Sequence, residues 1–166
     1  MTARVGVVEV ATGRLDTLGY GVRAEYASAY VVFAASDNTL LAQPFDLSRR
    51  RTNGPATVIL SGVWQPGGFN HEFALSTNGW LEYQPGTGYT NESFRVSSGA
   101  GGAILPLPGR RSDNLEDPAI SPDGRFLAMR LLSPGSAGQA DLWILDRRQG
   151  TLARFSVGGG RAPVWS

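Results

Sequence analysis

Short apolar runs, each a few residues long and closed by Gly, Pro, Asn or Asp, follow one another along the whole chain, as in Val5-Gly-Val-Val-Glu-Val10, Tyr30-Val-Val-Phe33 and Leu142-Trp-Ile-Leu-Asp146. Runs of this length with turn residues at both ends predict strands, and no stretch keeps a helical period long enough to predict a useful helix. The runs also repeat. Pro118-Ala-Ile-Ser-Pro-Asp-Gly-Arg-Phe-Leu-Ala-Met129 predicts a strand, an Asp-Gly turn and a second strand, and Phe73-Ala-Leu-Ser-Thr-Asn-Gly-Trp-Leu-Glu-Tyr83 predicts the same hairpin with Asn78-Gly79 in the turn. An altered copy, Glu25-Tyr-Ala-Ser-Ala-Tyr-Val-Val-Phe33, lacks the glycine, and Ala162-Pro-Val-Trp-Ser166 starts the pattern again. The marker serines stand at 28, 76, 121 and 166, at intervals of 48, 45 and 45. A second hairpin, 141–155, resembles 5–18 with Gly150 matching Gly13, an offset of 137 residues or three such periods.

A period of this length holding four short strands, A to D from the centre outward, is the size and content of one propeller blade. The chain is therefore expected to be all-β, a partial β-propeller of four-stranded antiparallel blades, about 3.5 blades long. Residues 1–20 supply outer strands C and D of a preceding blade (4–10 and 14–18); complete blades occupy 21–61, 62–108 and 109–157; residues 158–166 supply the inner strand of the next, at 162–166. Within the blades the strands are expected near 22–27, 29–34, 39–45 and 56–60, then 71–76, 80–84, 91–96 and 103–107, then 117–121, 125–131, 141–146 and 151–156. Trp143, Phe155, Phe126 and Trp165 fall at equivalent positions and are expected to pack between blades. The open inner edges predict self-association of an isolated chain.

Composition narrows the function. The 166 residues carry 22 Gly and 10 Pro, scattered rather than gathered in a tract, which fits many short elements. With 15 basic and 14 acidic residues the charge is balanced, so no single-sign field predicts a nucleic-acid partner or an anionic membrane surface. No apolar stretch predicts direct membrane insertion, and the first residues lack the apolar core of a signal peptide. The chain has no Cys, which removes disulfides, thiolate catalysis and Cys-ligated metals.

Catalytic and cofactor motifs are weak. His71 is the one histidine, and no Gly-x-Ser-x-Gly elbow supports a hydrolase triad around it. The glycine runs 98–102 and 158–160 do not stand between a strand and a helix, so they predict turns rather than a phosphate loop. Glu116, Asp117 and Asp123 match no calcium loop, and Asp123 is needed in its turn. No catalytic residue, cofactor or metal ligand is expected. The D-to-A loops of a propeller crowd one face, and two are long here: 61–70, with Trp64 and Phe69, and 109–117, with Arg110 and Arg111. Aromatic and Arg side chains favour binding hot spots, so Trp64, Phe69, Asn70, His71, Tyr89, Arg110 and Arg111 are the candidate contacts for a protein or peptide partner.

The Ser-Pro-Asp-Gly hairpin at 121–124, the Leu-Trp-Ile-Leu-Asp strand at 142–146 and the Pro-Val-Trp-Ser ending together resemble the TolB-like propeller repeat, also called the PD40 or WD40-like repeat. Thr39–Leu47, leading through Asn53-Gly-Pro to Val58-Ile-Leu, is similar to propeller segments attached to bacterial serine/threonine kinases. The resemblance implies a non-catalytic sensor or binding segment of a larger envelope or kinase-associated protein, on the periplasmic or extracellular side. The alternative is the accessory propeller of a prolyl-peptidase-like or glycan-active hydrolase whose catalytic part lies elsewhere. The chain itself has no Gly-rich kinase loop, no catalytic Asp motif and no Lys.

Overall fold

In the computed structural model, residues 3–64, 72–86, 95–98, 115–132 and 140–166 are described. They form an all-β partial propeller, each sheet antiparallel and built from strands adjacent in sequence. The hairpin β1 (Arg4–Glu9) and β2 (Arg14–Tyr20) forms a two-stranded sheet of its own ahead of the first blade. The first blade orders β3 (Ala24–Ala27), β4 (Tyr30–Ala34), β5 (Thr39–Asp46) and β7 (Thr57–Ser61) from inside outward, and β6 (Arg51–Thr52) extends the far end of β5. The second blade shows β8 (Phe73–Leu75), β9 (Trp80–Tyr83) and β10 (Arg95–Ser98); the strand expected at 103–107 lies outside the described residues. The third is complete, with β11 (Leu115–Ile120), β12 (Phe126–Leu132), β13 (Ala140–Asp146) and β14 (Thr151–Arg154).

The marker serine makes each inner hairpin. In the third blade the Ser121 carbonyl accepts the Gly124 N–H at 2.8 Å, and its hydroxyl donates to Asp123 and accepts the Phe126 N–H. Pro122 presets the turn, and Gly124 leaves it at φ +71°, a left-handed angle that a side chain disfavours. Ser76 makes the same bonds to Gly79 and Asn78, with Gly79 at φ +88°, and its hydroxyl accepts the N–H of Trp80, one residue nearer than Phe126 stands to Ser121. Only the glycine of each Asp-Gly or Asn-Gly pair has positive φ, so these are four-residue turns whose last residue is the left-handed glycine, not two-residue turns. The glycine-free copy differs: Ala27 pairs with Tyr30, and Ser28 (φ 50°) and Ala29 (φ 65°) both take left-handed angles in a true two-residue turn. Ala29→Gly relieves a conformation that costs Ala about 1 kcal/mol, and urea denaturation is expected to show a stabilisation of about that size.

Blades pack face to face through three apolar clusters. Val5 joins Val31, Phe33 and Phe45 between the β1–β2 hairpin and the first blade. Val32, Ala34, Leu40, Val63 and Phe73 fill the next interface, and Ala74, Ile120, Leu127, Met129, Leu131 and Leu145 fill that between the second and third blades, with Trp80 and Trp143 against them. Hairpin tips grip one another one period apart: the Ser28 hydroxyl donates to the Thr77 carbonyl (3.2 Å), and the Thr77 hydroxyl to that of Pro122 (2.8 Å).

Two expectations are corrected. Residues 162–166 form no strand, because no described strand lies beside them to complete a ladder. The segment is instead pinned by its side of the joint: the Ala162 N–H donates to Asp117, and the Trp165 indole donates to the Ala119 carbonyl at 2.9 Å and stacks on Phe126. Phe155, expected between blades, is 71% exposed, since nothing among the described residues covers that face of the third blade.

Candidate functional site

Successive inner strands place their edges side by side, and between them lies a cleft of about 290 Å³. Arg23 and Glu25 come from the first blade, Ala74–Thr77 from the second, Pro118–Ile120 and Pro122 from the third, and Pro163–Trp165 from the final segment. One wall is therefore rich in proline with an indole, and the other carries hydroxyls and an ion pair. Proline suits this position because inner-strand edges have no neighbouring strand to receive an N–H, and Pro blunts such an edge against strand addition.

Side chains from one blade cap the exposed inner edge of the next. Glu25 accepts the Leu75 N–H at 2.6 Å, Glu72 the Asp117 N–H at 3.0 Å and Asp117 the Ala162 N–H at 3.2 Å. Each carboxylate stands three or four residues before a marker serine, at the repeat's own spacing. Arg23 donates to Glu25 at 2.9 Å and lies over the Phe73 ring at 5.0 Å.

Behind this edge is a buried acidic face of the second blade. Glu72 and Gln84 follow the β8–β9 register as opposite neighbours, and Glu82, opposite Ala74, is diagonal to Glu72 on the same face. Glu72, Glu82 and Gln84 are all buried, and Glu82 is wholly so, with neither carboxyl oxygen hydrogen-bonded among the described residues. Burial, then the charge of Asp117, pushes the Glu72 carboxyl up to about 7, against the pull of Arg23 and the Asp117 N–H. Burial, reinforced by Glu72, raises Glu82 well above the usual carboxylate range. Burial also raises Glu25, opposed by Arg23. Arg147, stacked 4.4 Å over Trp80, is lowered by burial and partly restored by Glu82.

The hydroxyls and carboxylates around the cleft are already engaged. The hydroxyls of Ser76 and Ser121 are held within their own turns. The three carboxylates considered for a cation are each engaged separately: Glu116 with Arg130, Asp117 with Ala162, and Asp123 with Ser121 and Arg125. Among the described residues no group of three His, Cys, Asp or Glu is placed to hold a metal ion.

Of the contacts expected from sequence, Trp64 is described. It is half-buried, donating its backbone N–H to Gln84 and accepting from the Glu72 N–H, and it is outside the cleft lining. Phe69, Asn70, His71, Tyr89, Arg110 and Arg111 lie outside the described residues. Loop length and aromatic content pointed away from the inner edges; the signal that could have found them was the carboxylate preceding each marker serine. No protein-family model matches the chain, and no curated protein is similar to it in sequence, so the chemistry of this cleft is what bears on its role.

Proposed function

We propose that this chain is a TolB-like propeller segment that binds a peptide or protein partner without catalysis, with the inner-strand cleft as the seat of recognition. The observation that carries this is the cleft's lining: Pro118, Pro122, Pro163 and Trp165 offer an apolar surface for a partner's side chains, while Thr77, Arg23 and Glu25 can orient its polar groups. Trp64, Phe69, Asn70, His71, Tyr89, Arg110 and Arg111 would extend the contact along the loops, in a larger envelope or kinase-associated protein.

Panning a displayed random peptide library against the chain tests this. Enrichment of a consensus is expected, with affinity reduced about tenfold or more by Trp165→Ala, the loss characteristic of an aromatic anchor. A library that yields no consensus, or a consensus indifferent to Trp165→Ala in a variant with unchanged circular dichroism, would sink the proposal.

A further inference from the structure

We propose that Glu72 and Glu82 form a proton-controlled lock on the joint between the second and third blades, so that the inner-strand cleft changes shape as the pair loses its proton. The two carboxyls lie diagonally across β8 and β9 on the face turned toward the third blade, the face that also presents Ala74 and Trp80 to Ile120, Leu127, Met129 and Leu131. Glu82 is wholly buried with both oxygens unpartnered among the described residues, while Glu72 reaches across the joint to the Asp117 N–H. One carboxyl thus senses the enclosed environment, and the other is itself a fastening between blades.

The charged groups around the pair come from every neighbouring element. Arg23 and Glu25 face it from the first blade, Glu116 and Asp117 from β11, and Arg147 from the turn after β13. Arg23 is already engaged by Glu25, and Glu116 by Arg130, so the surroundings do not supply two free counter-charges. While the pair retains a proton, it carries at most one negative charge and the joint stays shut. Release of that proton to solvent leaves two carboxylates in a volume closed to water, with Asp117 and Glu116 adding charge of the same sign. Hydrating them requires β8 and β9 to part from β11, which breaks the Glu72 to Asp117 bond. Burial raises Glu72 to about 7 and Glu82 further, so the first proton leaves near neutral pH and the last, which opens the joint, leaves above it.

The cleft is bound to this joint by construction. Ala74–Thr77 stand on its second-blade wall and Pro118–Pro122 on its third-blade wall, so separation widens it and pulls the Thr77 hydroxyl from the Pro122 carbonyl. What the cleft binds rests on the function proposed above; the opening of the joint does not, and it is read without any ligand.

Amide exchange followed by NMR at pH 6 and pH 9, corrected for the intrinsic rate, tests the lock. In the full chain the protection of the Asp117 amide is expected to fall about tenfold over this interval, with the Leu145 amide inside the third blade holding its value. In Glu82→Gln, which cannot ionise, the Asp117 amide is expected to keep the same protection at both pH values. Constant protection of Asp117 in the wild type, a parallel loss at Leu145, or an unaltered pH response in Glu82→Gln would each overturn the proposal. Infrared spectroscopy supplies a measurement on the wild type alone: a protonated-carboxyl C=O band present at pH 6 and diminished at pH 8 is expected, and its absence at pH 6 would overturn the lock.

Discussion

Gly124→Ala is expected to destabilise the protein by about 3 kcal/mol, whereas the equivalent change one blade earlier, Gly79→Ala, costs about 1 kcal/mol. Both glycines close the same turn at left-handed φ, +71° and +88°, so both variants bear the backbone cost of a side chain there. They differ in what the new methyl meets. At Gly79 the nearest atom is the Ser28 hydroxyl at 3.8 Å, an ordinary contact. At Gly124 a Cβ would stand 2.5 Å from Cδ1 of Trp80, and that ring is backed by the Arg147 guanidinium 4.4 Å away. The indole cannot retreat without disturbing the cation over its face and the apolar cluster it packs on. Paired denaturation curves, with Trp emission as a second readout, check the prediction; equal losses in the two variants would show that the tip of one blade does not press on its neighbour's Trp.

That contrast illustrates what the sequence exposes and what it hides. The marker serines, their spacing and the Gly of each turn were legible because a hairpin's requirements are local: a preset turn, a hydroxyl to bridge it and a residue that tolerates positive φ. The alternation of Trp80, Leu81, Glu82 and Tyr83 likewise put Trp80 and Glu82 on one face. Burial of Glu82 was not legible, since a glutamate on a strand is ordinarily taken as the solvent side, and only the meeting of two blades shows that this face is enclosed. Phe155 failed in the opposite sense: its repeat position promised burial, yet burial depends on what covers the face, not on the strand that carries it. The cleft was hidden for a related reason. Arg23, Thr77, Pro122 and Trp165 are spread over four copies of the repeat, and no single copy contains enough of the site to reveal it.

Glu82→Met is expected to stabilise the protein by about 1 to 4 kcal/mol, and by more at pH 8 than at pH 5. An unfolded chain ionises its glutamates near 4.5, while the folded chain holds the Glu72 proton to about 7 and that of Glu82 higher. Between those values the folded state binds more protons than the unfolded state, so stability is at its fullest below 4.5 and is lost as pH rises through the folded values. The rise at Glu72 alone corresponds to about 3 kcal/mol, because each pKa unit is worth about 1.4 kcal/mol. Methionine matches the length of glutamate, has no charge to strand and packs readily in the apolar surroundings of Ala74 and Trp80. Urea denaturation of both proteins at pH 5 and pH 8 decides the matter: a gain that grows with pH is the signature of a stranded carboxyl, and a loss at both pH values would mean that Glu82 holds a stabilising partner instead.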